Sequence, residues 1–539
     1  MSHPQPDVLI IGGGIAGITT ALELLNLGKS VHLVDRDQEE NFGGLAKESF
    51  GGMFFVNTPQ QRKAGIRDTP KLALSDWMSV AEFEEEDHWP KAWAKQYVYS
   101  CTDHVYKWLT QLGIKYFPVV HWVERGLYKP GNSYPRFHMV WGTGSELVKV
   151  LVNHLMSHPR AKDALTLSFG YKVEELIVSS GKVSGAKGII ESSGEPFEIA
   201  AEMTVAATGG IGGNIEKVRE HWYKPWGEPP EEILNGAHEF GDGHLHDEIA
   251  KQDGNITHLD WMWPYAAGVA HPNPRRPMHG LSLVPPKSAL WLNYQGKRFG
   301  PMPLVTAYDT KFLVEQVCKE GKKYSWQILN LKIAYKEFAI SGSEHNKAIR
   351  EKSWIGFIKT ILLGNKELVD DMLENCPDFV TANNIEELAD KMNALVGTED
   401  VDVNQMREAI EKYDAQIDRG PNFFNDEQLR RIAHARRYRG DRVRTSKFAK
   451  INDPKGMPLI AIRERILSRK SLGGIQTDLE CKVLTRQGEP IPGLYAVGEA
   501  AGFGGGGVHG KGALEGTFLG GCVLTGRIAA YDIAGKKLI

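Results

Sequence analysis

Cysteine is scarce and unpatterned. The five residues, Cys101, Cys318, Cys376, Cys481 and Cys522, lie far apart and form no CxxC or CxxCH. This argues against a structural zinc, an iron–sulfur cluster or an attached c-type haem, and the odd count favours a reducing compartment over a disulfide framework. No apolar run approaches the ~20 residues that cross a bilayer. Charge of one sign is also lacking: 64 Lys and Arg against 67 Asp and Glu leave a formal net charge of −3, with no chain-wide pull toward nucleic acid. There is no internal repeat and no low-complexity tract. The first residues carry no basic flank and no small-residue cleavage site, and their apolar VLII runs straight into glycines, as a strand does. The expectation is a cytoplasmic protein without a membrane span. At 539 residues the chain is too long for one simple core, so two domains or one large insertion are expected.

What is present is glycine in pattern. DVLIIGGGIAGITTALELLNLGKSVHLVDR, from Asp7 to Arg36, reads as a buried strand, a GxGxxG turn at Gly12, Gly14 and Gly17, an apolar helix stopped by Gly28, and a second strand ending in Asp35. The first glycine makes a tight turn, the second lets the backbone reach a pyrophosphate, and the third packs helix on strand. The free N–H groups of the helix then face the negative charge. Asp35 is placed to accept hydrogen bonds from ribose hydroxyls. The motif alone leaves NAD and FAD open.

Later glycines favour flavin. Gly43, Gly44, Ser49, Gly51 and Gly52 follow in NFGGLAKESFGGMFF, then VAATGGIGGN (Val205 to Asn214), GDG (Gly241 to Gly243) and IPGLYAVGEAAG (Ile491 to Gly502) with Glu499. Taken together, these ordered stretches resemble the flavoprotein subunit family of fumarate reductase and succinate dehydrogenase, which includes the 3-ketosteroid dehydrogenases. The resemblance runs from residue 8 to 521. It implies an α/β protein with a discontinuous Rossmann-like FAD-binding domain, residues 1–268 and 464–539, and an inserted α+β cap (substrate) domain at 269–463. It sets FAD against Gly12, Gly14, Ile15, Ala16, Gly17, Asp35, Arg36, Gly43, Gly44, Leu45, Ser49, Gly51, Gly52, Val173, Ala207, Thr208, Gly209, Asp242, Gly498, Glu499, Gly512, Ala513 and Leu514. Succinate dehydrogenases attach FAD through a His; a gap-free reading puts Leu45 there, so the FAD is expected to be non-covalent.

The densest cluster, GFGGGGVHGKGALEGTFLGG from Gly502 to Gly521, is then read as backbone passing beside the isoalloxazine ring, with a helix from near Leu514 aiming its positive end at the flavin. Two other stretches are read as structure before function. Thr69–Trp141 holds Trp77, Trp89, Trp93, Trp108, Trp122 and Trp141, taken as packing of helical hairpins ahead of a substrate wall. The basic run Leu429–Arg444 is taken as a solvated helix face ahead of an anion site.

The resemblance also sets the reaction class, a hydride exchanged at the β carbon and a proton at the α carbon of a carbonyl compound. Fumarate reductases hold a dicarboxylate with cationic residues that this chain lacks. Its counterpart of their proton-donor segment, NYQGKRFGPMPLVTAYDT, offers Tyr308 before Asp309; RKSLGG places Lys470 where they have a His; and Ala513 replaces an Arg. A Tyr as proton carrier resembles the ketosteroid dehydrogenases, and a cation such as Lys470 beside a phenol would lower its pKa. Tyr308, Lys470 and His509 are therefore the candidate catalytic residues, with Lys511 a further polar group of the glycine loop. Tyr265, His279, His121 and Tyr495 are taken as structural. No metal site is expected. The expected function is FAD-dependent dehydrogenation next to the carbonyl of a 3-ketosteroid or similar cyclic ketone, with an unidentified electron acceptor, no nucleic-acid partner and no set oligomeric state. The alternatives are a reductase of an unsaturated acid, using Lys470 and the Arg436–Arg444 cluster, and a non-catalytic flavin-binding protein.

Overall fold

Val8–Ile11 (β1) is buried at every position, as a strand must be when it is paired on both edges and covered on both faces. In the computed structural model, which describes residues 5–127, 131–300 and 309–539, β1 pairs in parallel with Val31–Asp35 (β2) and with Met203–Ala206 (β4). Leu165–Phe169 (β3) extends the sheet beyond β2, while Lys482–Leu484 (β5) and Pro490–Ala496 (β6) extend it beyond β4, giving the order β5-β6-β4-β1-β2-β3. Only the β5–β6 pair is antiparallel. Strands far apart in sequence thus lie side by side, as Leu494 of β6 does with Thr204 of β4.

The helix Ile15–Asn26 (α1) returns over this sheet, and its apolar residues, with Thr19, Thr20 and Glu23, are buried. The helix Thr517–Ile533 (α2) packs against it. Two features permit that contact: Gly526, whose missing Cβ would stand 2.8 Å from the Ala16 carbonyl, and a buried Arg527–Glu23 pair at 2.7 Å. Helix α2 begins three residues later than expected. Gly516, at φ +98°, stands in a left-handed conformation that ends any helical run.

The tryptophan-rich segment packs onto the same unit. Trp77, Trp93, Trp108 and Trp141 are buried. Trp77 Nε1 donates to the Val508 carbonyl and Trp93 Nε1 to the Asp478 carbonyl, both at 2.9 Å. Deeper in the segment, the fully buried guanidinium of Arg136 is shared by Asp68 (2.7 Å) and Asp76 (2.5 Å), with Asn132 at 3.0 Å. Removing one side of a buried pair leaves the other charge uncompensated, at a cost of about 3–5 kcal/mol. Arg136→Leu should therefore lower the unfolding midpoint sharply in denaturant titration, whereas the exposed Lys107→Leu, whose Asp103 partner is equally exposed, should change it little.

The chain divides into two compact units: residues 1–223, 237–263 and 469–539 form one, and 224–236 with 264–468 the other. The second unit is built on a largely antiparallel sheet. Leu290–Asn293, Tyr324–Asn330 and Leu459–Ser471 lie side by side, followed by Met262–Ala270, Gly280–Val284 and Ala339–Ile340. Its helices start where polar side chains can cap them. Asn384 precedes the helix Ile385–Val396 and accepts from Glu387 N–H at 2.8 Å; Asp402 does the same for Val403–Arg419. No described helix is long and apolar enough to cross a membrane.

Candidate active site

Each glycine of the first turn does a different thing. Gly12 adopts φ +109°, and a Cβ there would stand 2.7 Å from the Ala207 carbonyl carbon. Gly17 faces the Gly12 carbonyl so closely that a Cβ would overlap it. Gly14 faces open space, with nothing within 4 Å. It is also the N-cap of α1, with no side-chain cap and no acid in the first turn. A helix N-terminus with uncapped N–H groups and an open approach fits a pyrophosphate. Ile15 and Ala16 open that helix.

A second glycine loop lies against the first. Gly43 bridges to Gly14, and its N–H donates to the Gly13 carbonyl at 3.0 Å. Gly43 and Gly44 both have positive φ, and Leu45 begins the short helix that follows. Ser49 Oγ donates to the Ala46 carbonyl and accepts from Gly51 N–H, while Gly52 packs so tightly on Phe137 that no Cβ would fit.

Asp35 closes β2 and accepts from Gly13 N–H (2.5 Å) and Asp37 N–H (2.8 Å). Burial pushes its carboxyl up, against those two donors. Next to it, burial also works on Asp37, but His238 at 3.0 Å and Asn41 hold that carboxyl down to about 2. Arg36 pairs with Asp242 and Glu191 and lies over the Phe240 ring, 4.5 Å from its centroid. Val173 belongs to the strand Tyr171–Ser179, and Ala207 N–H donates to the Ile11 carbonyl. Thr208 and Gly209 follow directly, Gly209 at φ +76°.

Glu499 Oε1 accepts from Ser471 N–H at 2.9 Å, and Ser471 Oγ accepts from Ile211 N–H at 2.8 Å. Burial raises the Glu499 carboxyl, with Lys470 and Arg469 acting against it. Gly498, at φ +65°, lets the turn approach Ala16. Beyond it, the glycine cluster makes room for protein. A Cβ on Gly504 or Gly505 would meet Trp93, one on Gly507 would stand 3.2 Å from Trp261, and one on Gly512 would stand 2.7 Å from the Val80 carbonyl. Most of these glycines thus answer to indole rings and to the helix Pro70–Ala81. Ala513 and Leu514 lie buried between this loop and α2.

His509 and Lys470 lie close enough for the charge of one to act on the other. His509 is fully buried, stacked on Trp77 at 5.6 Å and close to Phe503 and Phe518. Thr517 Oγ1 spends its only hydrogen on the Leu514 carbonyl (2.8 Å), so it accepts from His509 Nε2–H at 2.7 Å. That fixes the tautomer. Nδ1 then offers a lone pair with no hydrogen-bond partner among the described residues. Burial, then Lys470, pushes the imidazole down to about 3, so it is neutral.

The Lys470 ammonium lies 3.9 Å from the centroid of Phe518, and its side chain is 15% exposed. Burial lowers it to about 8, against Glu515, whose carboxylate is 3.8 Å away and also accepts from Trp263 Nε1 at 2.9 Å. Glu515 escaped sequence reasoning. Its signal was present, since it is the one acid between Glu499 and Asp532. Lys511 pairs with Glu84 at the surface.

Tyr308 lies outside the described residues; Asp309, just after it, caps the helix Thr310–Cys318 by accepting from Phe312 N–H. Tyr265 lies on the strand Met262–Ala270 of the second unit. His279 stacks on His271 at 4.2 Å, and burial, then Arg276, pushes it down to about 3. His121 stacks on Phe117, and the Tyr495 hydroxyl donates to Asp532 at 2.8 Å. In the basic run, Arg436 donates to backbone carbonyls, Asp441 pairs with Lys287, and Arg437, Arg439 and Arg442 are exposed.

An open, uncapped helix N-terminus beside two glycine turns, with an acid at the end of the second strand, defines a dinucleotide-binding frame. A family model described as an FAD binding domain matches residues 7–519, and the chain belongs to that family. It is 41% identical over 98% of its length to a KsdD-like steroid dehydrogenase of Mycobacterium tuberculosis, covering 95% of that protein. Among solved structures it resembles 3-ketosteroid Δ1-dehydrogenase from Sterolibacterium denitrificans in complex with 1,4-androstadiene-3,17-dione (TM-score 0.71, 16% identity, 98% and 99% of the two chains). It also resembles the open conformation of a flavocytochrome c3 fumarate reductase (TM-score 0.66, 21% identity, 99% and 79%). FAD is the cofactor, and the protein is an FAD-dependent oxidoreductase with the mixed α/β fold of these flavoenzymes.

Proposed function

We propose that this enzyme dehydrogenates a 3-ketosteroid or similar cyclic ketone, introducing a carbon–carbon double bond next to the carbonyl. In this reading residues 1–223, 237–263 and 469–539 form a discontinuous Rossmann-like FAD-binding domain, and 224–236 with 264–468 form the cap that carries the substrate side. The observation that carries it is the charge at Lys470. This cation is already neutralised by Glu515 and seated on an aromatic ring, an arrangement suited to polarising one neutral carbonyl oxygen and poor at holding two carboxylates. FAD, when bound without a covalent link, supplies the acceptor for the hydride leaving the β carbon. Lys470 stabilises charge developing on the carbonyl oxygen as the α proton leaves, and Tyr308 takes that proton. His509, neutral and locked by Thr517, keeps its Nδ1 as a fixed acceptor and holds the loop in place.

Mixing the FAD-loaded enzyme with a 3-ketosteroid in the absence of oxygen should bleach the flavin absorbance. Failure to bleach with any cyclic ketone, together with reoxidation of the reduced enzyme by fumarate, would overturn the reading in favour of an unsaturated-acid reductase.

The pH profile supplies a separate test. With its pKa lowered to about 8, Lys470 is charged below that pH and neutral above it. If the charge is used, turnover falls as pH rises through about 8. Lys470→Arg keeps its charge at every working pH, so the descending limb should move to higher pH even if the maximum drops. A descending limb that stays near 8 in the variant would assign it to another group.

A further inference from the structure

The helix Trp354–Leu363, WIGFIKTILL, has no buried residue, although only Lys359 and Thr360 in it are polar. Ile355 is 84% exposed, Leu362 74%, Leu363 61% and Ile358 52%. Residues 355, 358 and 362 recur at helical spacing, so they form one apolar stripe. The helix is firmly seated on its other side. It packs on the helices Leu331–Glu337 and Lys347–Arg350, Lys336 Nζ donates to the Ile361 carbonyl at 3.1 Å, and Ser353 Oγ caps its start by accepting from Gly356 N–H. The other large apolar side chains exposed among the described residues, such as Tyr99, Met156 and Phe423, are scattered and need no explanation.

The surroundings of the stripe are basic. From residue 347 to 366 the chain carries Lys347, Arg350, Lys352, Lys359 and Lys366 against one acid, Glu351, which pairs with Arg350; the four lysines are exposed, and acids return only with Glu367, Asp370 and Asp371 in the next helix. We propose that this helix docks the protein on the surface of an anionic membrane. Ten residues are about 15 Å of helix, half a bilayer core, so the helix lies in the plane of the interface. Ile355, Ile358 and Leu362 then enter the acyl boundary while the lysines meet lipid phosphates. A second copy of the chain is a poorer occupant. Symmetric pairing of this face would bring its four lysines onto the same four lysines of the other copy. The proposal stands on this surface alone and does not depend on the substrate.

The test is flotation of the full-length, FAD-loaded protein with vesicles of phosphatidylcholine mixed with phosphatidylglycerol, and with phosphatidylcholine alone. The protein should float with the mixed vesicles and much less with the neutral ones. Ile355→Asp combined with Leu362→Asp, both at exposed positions, should lower the bound fraction at least ~10-fold with flavin content unchanged. Lys347→Glu combined with Lys359→Glu, which leaves the stripe intact, should lower it by a similar factor and decides the matter if the first variant does not fold. Three results would overturn the proposal: no binding by the unaltered protein, binding by both variants equal to that of the unaltered protein, or self-association of the unaltered protein that the aspartates abolish.

Discussion

A Gly14→Val enzyme should fold as the parent does and purify colourless. Gly14 has φ −70° and ψ 176°, backbone that any residue adopts, and a Cβ added there meets nothing. The protein by itself therefore gives no reason for glycine. The reason lies in the ligand, whose pyrophosphate must come within hydrogen-bonding distance of the α1 N–H groups. Two methyl groups in that space should weaken FAD binding by at least about 100-fold, or ~2.7 kcal/mol, as read by flavin absorbance of the purified protein and by titration with added FAD. Gly17→Ala is the contrasting case. Its Cβ would overlap the Gly12 carbonyl, so this smaller change should lower the unfolding temperature even in the absence of flavin. A yellow Gly14→Val protein with parental affinity would move the pyrophosphate away from this turn.

The second large effect is expected at Tyr308. Tyr308→Phe deletes one hydroxyl and nothing else. If that oxygen takes the α proton, turnover with a 3-ketosteroid should fall at least ~100-fold while bound FAD stays at the parental level. The KM should change little, since a phenol that acts only on the reacting proton contributes little to holding the substrate. Flavin bleaching in a single anaerobic turnover separates this from slow product release: loss of the proton acceptor slows the bleaching itself. Retention of full turnover would remove Tyr308 from the mechanism and leave Lys470 as the group to examine.

How far the sequence could be read depended on how local each cause was. In the first turn the cause is local. The left-handed Gly12, the open Gly14 and the close-packed Gly17 all follow from a strand, a turn and a helix within a dozen residues. The glycines from Gly502 to Gly512 behave differently. Their pattern reads as clearance for a flavin ring, and the structure fills much of that clearance with Trp93, Trp261 and the helix Pro70–Ala81. Nothing adjacent in sequence announces partners as distant as Trp261 from Gly507 or Val80 from Gly512. Glu515 was missed for a related reason. The residues that differ from a dicarboxylate site stand out in the sequence itself, whereas an acid that tempers Lys470 is visible only once both side chains are placed. The tryptophans were the reverse case, since large indoles inside amphipathic helices are usually core, and Trp77 and Trp93 are buried with their N–H groups satisfied.

The pairing of α1 with α2 has a consequence for synthesis. Glu23 and Arg527, joined in a buried ion pair, are separated by 504 residues. At roughly 5–20 residues per second a ribosome needs about 25–100 s to bring the second to the first. Throughout that interval β1 and α1 exist without the strand and helix that complete their sheet and cover their face, while the contiguous span 264–468 of the other unit emerges whole. The nucleotide-binding turn is thus made long before the pieces that finish it. A nascent chain is expected to gain protease resistance first in the span 264–468 and to acquire flavin only after the helix Thr517–Ile533 has emerged.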